Sequence, residues 1–165
     1  MRTIGYNPPT RPKESLIIVE KPFVLLADDN EAICTLIQAL LRSEFVVEVA
    51  RDGHEAIEKL KSRQYAAILL DLLMPIVDGF AVLDFLSDGR PEVLRRVIVV
   101  TAALSPRETQ RLRNYRLHGV IAKPFEVDVL QHTVRQCAGL GGEPFLTPIL
   151  SSGMILLLGE LLRRV

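Results

Sequence analysis

Five short apolar runs, each followed by a stretch with helical spacing, leave this chain few ways to fold. The runs are Phe23–Asp28, Phe45–Ala50, Ala66–Asp71, Val97–Thr101 and Val120–Ala122. After the first comes Asn30–Arg42, with Ile33, Leu36, Ile37, Leu40 and Leu41 on one predicted helical face. After the second comes about Gly53–Lys61, with Ala56, Ile57 and Leu60 inward, and after the third Phe80–Ser87, with Val82, Leu83 and Leu86 inward. The fourth helical stretch, to about Arg116, opens Ser105-Pro106-Arg107-Glu108: a capping Ser, a Pro in the first turn, and a Glu three residues after the cap. The fifth is Glu126–Cys137. Strands one, three and four are almost wholly apolar, as strands are when helices cover both faces of a sheet. Repeated βα units with right-handed crossovers predict an α/β fold with a doubly wound parallel sheet of five strands.

In such a sheet the ligand crevice lies outside the carboxyl ends of the strands. The residues that close the apolar runs are Asp28 and Asp29, Asp71, Thr101 and Lys123. Taken singly, each has an ordinary explanation: Asp28 and Asp29 suit a helix N-cap, Asp71 suits a turn before Pro75 and Gly79, Thr101 a strand end, and Lys123 the surface. Taken together, they form a chemical set. Three carboxylates in close proximity repel one another unless a cation neutralises them. Mg²⁺ takes oxygen ligands and commonly joins carboxylates to a phosphoryl group. Lys123 adds a compact positive charge and Thr101 a hydroxyl donor. This set suits phosphoryl transfer to a carboxylate nucleophile.

Composition narrows the alternatives. Of 165 residues, 48% are hydrophobic, so the chain has enough apolar side chain for a folded core. Its division predicts an extension over residues 1–22, a domain over 23–138, and a tail over 139–165 with a possible short apolar helix within Met154–Arg164. Twenty basic and twenty acidic residues cancel, which speaks against non-specific nucleic-acid binding. No secretory signal is expected at the start, where Pro8, Pro9 and Pro12 interrupt the chain, and Met154–Leu158 is far short of the roughly 20 residues a membrane span needs. Cys34 and Cys137 read as small buried hydrophobes in a reducing compartment. His54, His118 and His132 lack metal-ligand spacing. The arginines around helix four (Arg95, Arg96, Arg107, Arg111, Arg113, Arg116) read as a solvated face, with an acidic partner as the functional alternative.

From about Phe23 to Cys137 the chain resembles the receiver domain of two-component response regulators. The resemblance rests on Leu26-Ala27-Asp28-Asp29-Asn30, Leu70-Asp71-Leu72-Leu73-Met74-Pro75 with Asp78-Gly79, Val100-Thr101-Ala102, and Ala122-Lys123-Pro124-Phe125, in that order and on the expected elements. It implies a flavodoxin-like (βα)5 fold of strand order 2-1-3-4-5, with Asp71 as phosphoacceptor. Asp29, Asp71 and the backbone carbonyl of Leu73 would hold Mg²⁺ directly, and Asp28 mostly through water. Lys123 would hold a phosphoryl oxygen, Thr101 would turn inward on phosphorylation, and Pro124 would follow a cis peptide bond. The implied protein is a cytoplasmic phosphoacceptor rather than a turnover enzyme. It would be fed by a histidine kinase or a histidine phosphotransfer protein, and would serve as a phosphorelay intermediate, as a phosphate sink, or through direct contact with partners on the helix four, strand five and helix five face. With no output domain following, it would stand alone; it would need neither nucleic acid nor a membrane span. The chain departs from the family where Val120 replaces a common aromatic, which weakens the usual Thr–aromatic coupling. Leu73 and Ala103, two residues after Asp71 and Thr101, have no polar group to position water, which predicts slow or partner-dependent hydrolysis of the phospho-form. A receiver-shaped interaction module that never carries phosphate is the competing expectation.

Overall fold

The computed structural model describes residues 20–102 and 104–141. The predicted tail helix, the short apolar run Leu16–Val19 and Ala103 lie outside the described residues. The strands are β1 (Phe23–Ala27), β2 (Val46–Ala50), β3 (Ala67–Leu70), β4 (Val97–Thr101) and β5 (Gly119–Ala122). They alternate with α1 (Glu31–Leu41), α2 (Gly53–Ser62), α3 (Gly79–Gly89), α4 (Pro106–Leu112) and α5 (Val127–Cys137). All four pairings are parallel and the order is β2-β1-β3-β4-β5, the predicted doubly wound sheet.

The period-two alternation of side chains along a strand divides the core into two layers. Leu25, Ile68, Leu70, Val97 and Val99 face one side, where they meet Leu60 of α2, Leu83 and Leu86 of α3, and Leu112 of α4. Val24, Leu26, Leu69, Ile98 and Val100 face the other, against Ile37 of α1 and Leu130 and Val134 of α5. β1, β3 and β4 lie between these layers, which is why their sequences contain almost no polar residue.

Three local expectations need correction. Leu36 was expected to face inward, but it is 43% exposed and Cys34 takes the inner position with Ile37 and Leu41. At 3.6 residues per turn, Leu36 lies roughly 200° around the helix from Cys34, on the far side from the sheet. Helix α4 ends at Leu112 rather than near Arg116, because the chain turns there and brings Tyr115 back into the core. A 3-10 helix, Pro91–Arg96, follows α3 and is fixed by buried Leu94, where periodicity predicts no element.

The start of α3 is pressed against the end of β3. A Cβ at Gly79 would lie 2.2 Å from the Asp71 carbonyl oxygen and 2.8 Å from Leu72 Cα, both backbone atoms that cannot yield separately. Gly79 N–H donates to the Leu72 carbonyl at 3.1 Å, which closes the turn. Gly79→Ala is expected to lower unfolding stability by about 2–3 kcal/mol, whereas Gly89→Ala, with nothing within 4 Å of the added carbon, is expected to be neutral or to stabilise by up to about 1 kcal/mol. Urea unfolding midpoints of the two variants measure the contrast.

Candidate functional site

The two outermost backbone bonds of β1 and β3 position the acidic residues. Asp28 N–H donates to the Ala50 carbonyl at 3.0 Å, and Asp71 N–H to the Ala27 carbonyl at 2.8 Å. The Lys123 N–H donates to the Thr101 carbonyl at 2.8 Å, which extends the β4–β5 ladder one residue beyond β5. Asp28, Asp71 and Lys123 are therefore each the first residue past a strand, Asp29 the second past β1, and Thr101 the last residue within β4. This geometry sets the side chains at one edge of the sheet.

The predicted residues do meet there. Oxygen atoms of Asp28, Asp29 and Asp71 all lie within 4.8 Å of one another. Lys123 Nζ donates to Asp28 Oδ2 at 2.7 Å and to Asp71 Oδ2 at 2.5 Å. The second oxygen of each buried carboxylate is held by a backbone amide: Asn30 N–H donates to Asp28 Oδ1 at 2.9 Å, and Leu73 N–H to Asp71 Oδ1 at 3.1 Å. Asp28 is 1% and Asp71 7% exposed, while Asp29 is exposed. Burial alone would lower the Lys123 pKa, but its hydrogen bonds and charge attraction to Asp28 and Asp71 outweigh burial and hold it above the usual lysine range. Thr101 Oγ1 is buried with no hydrogen-bond partner among the described residues. Leaving a buried hydroxyl unpaired costs about 1–3 kcal/mol, so this atom stands ready for an acceptor delivered to the site. A donor set of carboxylate oxygens beside such a hydroxyl fits a hard cation of the Mg²⁺ kind together with an oxyanion.

Several surrounding contacts were not anticipated. Asn30, not Asp28 or Asp29, caps α1: its side chain accepts from Ala32 N–H at 3.0 Å and Ile33 N–H at 3.1 Å. That removes the capping explanation for the two aspartates. The signal was present, since Asn directly before a helical run is a favoured cap. Cys34 Sγ donates to the Asp28 carbonyl at 3.2 Å, and burial pushes its thiol pKa up, so it packs beneath the acid pair rather than reacting. Both cysteines are free. Ile76, in the β3–α3 turn, has φ +66° and is 88% exposed, a left-handed conformation that a β-branched side chain rarely adopts. The Val77 carbonyl of that turn accepts from Gly53 N–H at 2.8 Å, which ties the turn to α2. Val120 is partly buried against the α2–α3–α4 layer. The Lys123–Pro124 bond is cis, as expected. Among the described residues no helix is long and apolar enough to cross a membrane.

A parallel sheet that gathers an acid cluster and a lysine at its carboxyl edge is the architecture of a signal receiver. The family model of the response regulator receiver domain matches residues 24–135, well over half of the chain. The chain belongs to that family, and its domain is a receiver domain of two-component signalling. Among solved structures, the receiver domain of Francisella response regulator 1452 is 28% identical, with a TM-score of 0.64 over 72% of this chain and 98% of that one. The receiver domain of a signal transduction histidine kinase from Syntrophus aciditrophicus is 26% identical, with a TM-score of 0.63 over 78% and 99%. A CheY-like receiver from Methanospirillum hungatei, 23% identical with a TM-score of 0.67 over 73% and 95%, shares the fold.

Lys123 is the counter-charge for two buried carboxylates, and removing it leaves them facing each other. Lys123→Met is expected to destabilise the protein by about 3 kcal/mol in the absence of divalent cations. Millimolar Mg²⁺ is expected to restore more stability to the variant than it adds to the wild type. Thermal unfolding of both proteins with and without MgCl₂ reads this difference.

Proposed function

We propose that Asp71 accepts a phosphoryl group from a phosphohistidine donor in an Mg²⁺-dependent transfer. The observation that carries this reading is the Lys123 ammonium lying across Asp28 and Asp71 beside an unpartnered, buried Thr101 hydroxyl. One Asp71 oxygen attacks phosphorus in line with the donor's P–N bond. That bond breaks, its electron pair returns to the imidazole, and an acyl phosphate remains on Asp71. Asp29, Asp71 and the Leu73 carbonyl would hold Mg²⁺, with Asp28 acting through water, and the ion would neutralise charge on the acids and the transferred oxygens. Lys123 exchanges a carboxylate for a phosphoryl oxygen, at little cost because a charged acceptor is replaced by another. The Thr101 hydroxyl donates to a second phosphoryl oxygen and gains the partner it lacks.

The protein is, in this reading, a phosphoacceptor that assists its own modification, not a turnover enzyme. Its donor is a histidine kinase or histidine phosphotransfer protein, and its output is protein contact on the α4–β5–α5 face. Leu73 is 58% exposed at the site's mouth and offers no polar side chain to orient water, which supports slow hydrolysis of the acyl phosphate.

Intact-mass measurement after incubation with acetyl phosphate tests the reading. A single phosphoryl adduct is expected on the wild type with Mg²⁺, and none without Mg²⁺ or on Asp71→Asn. An unmodified wild type under the same conditions would contradict it and favour an interaction module that never carries phosphate.

A further inference from the structure

Helices α1 and α5 lie side by side on one face of the sheet and meet in steps of one turn. At the lower end of this seam, away from the acid cluster, Arg135 pairs with Glu44 at 2.8 Å. One turn earlier, Gln131 Nε2 donates to the Leu40 carbonyl at 2.9 Å. Residues four apart share a helix face, so the next step sets Leu36 against Val127. Neither is covered: Leu36 is 43% and Val127 38% exposed. Leu36 is one turn from both Ile33 and Leu40, which are partly buried in the layer that holds Leu130 and Val134 of α5. The seam thus passes from polar contacts at its lower end to open apolar side chains midway. At its upper end, where both helices begin, Glu31, Glu126 and Asp128 are exposed and make the surface acidic.

The chain leaves α5 in a way that returns it to this seam. Gly139 takes φ +74°, and Leu140 N–H donates to the Arg135 carbonyl at 2.8 Å. A Cβ at Gly141 would lie 3.2 Å from Gln136 Cα, so the backbone there is folded back against α5. Leu140 is 51% exposed at this lower end. The whole of α5, eleven residues, is about 16 Å long. Residues 142–153 can span up to about 40 Å, so a segment beyond them reaches any point along the seam. In that segment Met154, Leu158, Leu161, Leu162 and Val165 recur at the spacing of one helical face, while Glu160, Arg163 and Arg164 fall on the other. A helix that enters from the lower end brings Arg163 and Arg164 to Glu31, Glu126 and Asp128. Reversed, it brings them to Arg135 instead.

We propose that residues 154–165 form an amphipathic helix that docks along the α1–α5 seam over Leu36 and Val127, with its arginines at the acidic upper end. Helix α1 begins two residues after Asp29, and α5 four residues after Lys123. The docked segment therefore borders the acid cluster and screens it from a protein approaching along that flank. The docking needs no phosphoryl group, so it stands or falls apart from the phosphoacceptor role.

The test uses the full chain with isotope-labelled leucine and valine methyl groups. Nuclear Overhauser contacts are expected between the methyls of Leu36 or Val127 and those of Leu158 or Leu161. None is expected between labelled and unlabelled copies in a mixed sample. In Leu36→Asp these contacts are expected to vanish, and amide exchange of residues 156–162 to speed at least about tenfold. Amide shifts of β1 report that the variant stays folded. Leu158→Asp alters only the tail and is expected to have the same effect, which keeps the test decisive where Leu36→Asp fails to fold. Reversing both arginines, Arg163→Glu with Arg164→Glu, is expected to speed the exchange about threefold. Adding Glu126→Lys and Asp128→Lys is expected to recover part of that loss. Contacts between copies would overturn the proposal in favour of a second chain as the occupant. Absence of contacts, or tail exchange indifferent to Leu36→Asp and Leu158→Asp, would overturn it and leave the seam to another protein.

Discussion

The Lys123 ammonium stands between two buried carboxylates, and the geometry of the whole sheet edge follows from that contact. Two acids at 1% and 7% exposure carry negative charge into a region where water cannot screen it. The ammonium contacts both, and backbone amides hold their remaining oxygens. Such a cluster is stable only while every member is present, because removing one buried ionic partner costs more than the pair contributes. Three strands must therefore end at the same level: β1 and β3 to deliver the acids, and β5 to deliver the lysine. The parallel ladders enforce this, since Ala27 pairs with Leu70 and Thr101 with Ala122.

The same contact gives the site its capacity for exchange. An ammonium shared by two carboxylates can give up one of them to another oxyanion without losing its own solvation. A divalent cation can take over the neutralisation of the acids. Among the described residues the Thr101 hydroxyl is buried without a partner, which makes the resting arrangement less than fully satisfied. A fold that holds strain of this kind at its ligand edge, and an exposed Ile76 at positive φ beside it, differs from one optimised for stability alone. Gly79 is the mechanical counterpart, because its missing side chain is what lets α3 rest directly on the Asp71 backbone.

Much of this was legible in the sequence. Apolar runs that end abruptly on Asp28, Asp71, Thr101 and Lys123 declare buried parallel strands with polar termini, and all four residues lie where that pattern put them. Strand order was not readable from periodicity and came from the motifs in combination. What periodicity missed was decided by tertiary contact. Leu36 fits an apolar stripe as well as Cys34 does, but the sheet admits Cys34. Helix α4 carries helical composition to Arg116, yet Tyr115 gains more by entering the core than by continuing the helix. The bridging role of Lys123 and the lone Thr101 hydroxyl are three-dimensional facts, since residues 95 and 52 positions apart meet there.

The central claim is that these strand ends form one cation and oxyanion site, and the most direct test is to place a paramagnetic ion in it. In amide NMR spectra, substoichiometric Mn²⁺ should broaden residues 28–30, 71–73, 101 and 123 first, and excess Mg²⁺ should restore them. Asp29→Asn should weaken the effect at the same residues. Broadening spread over other acidic surfaces, or none at the strand ends, would contradict the account.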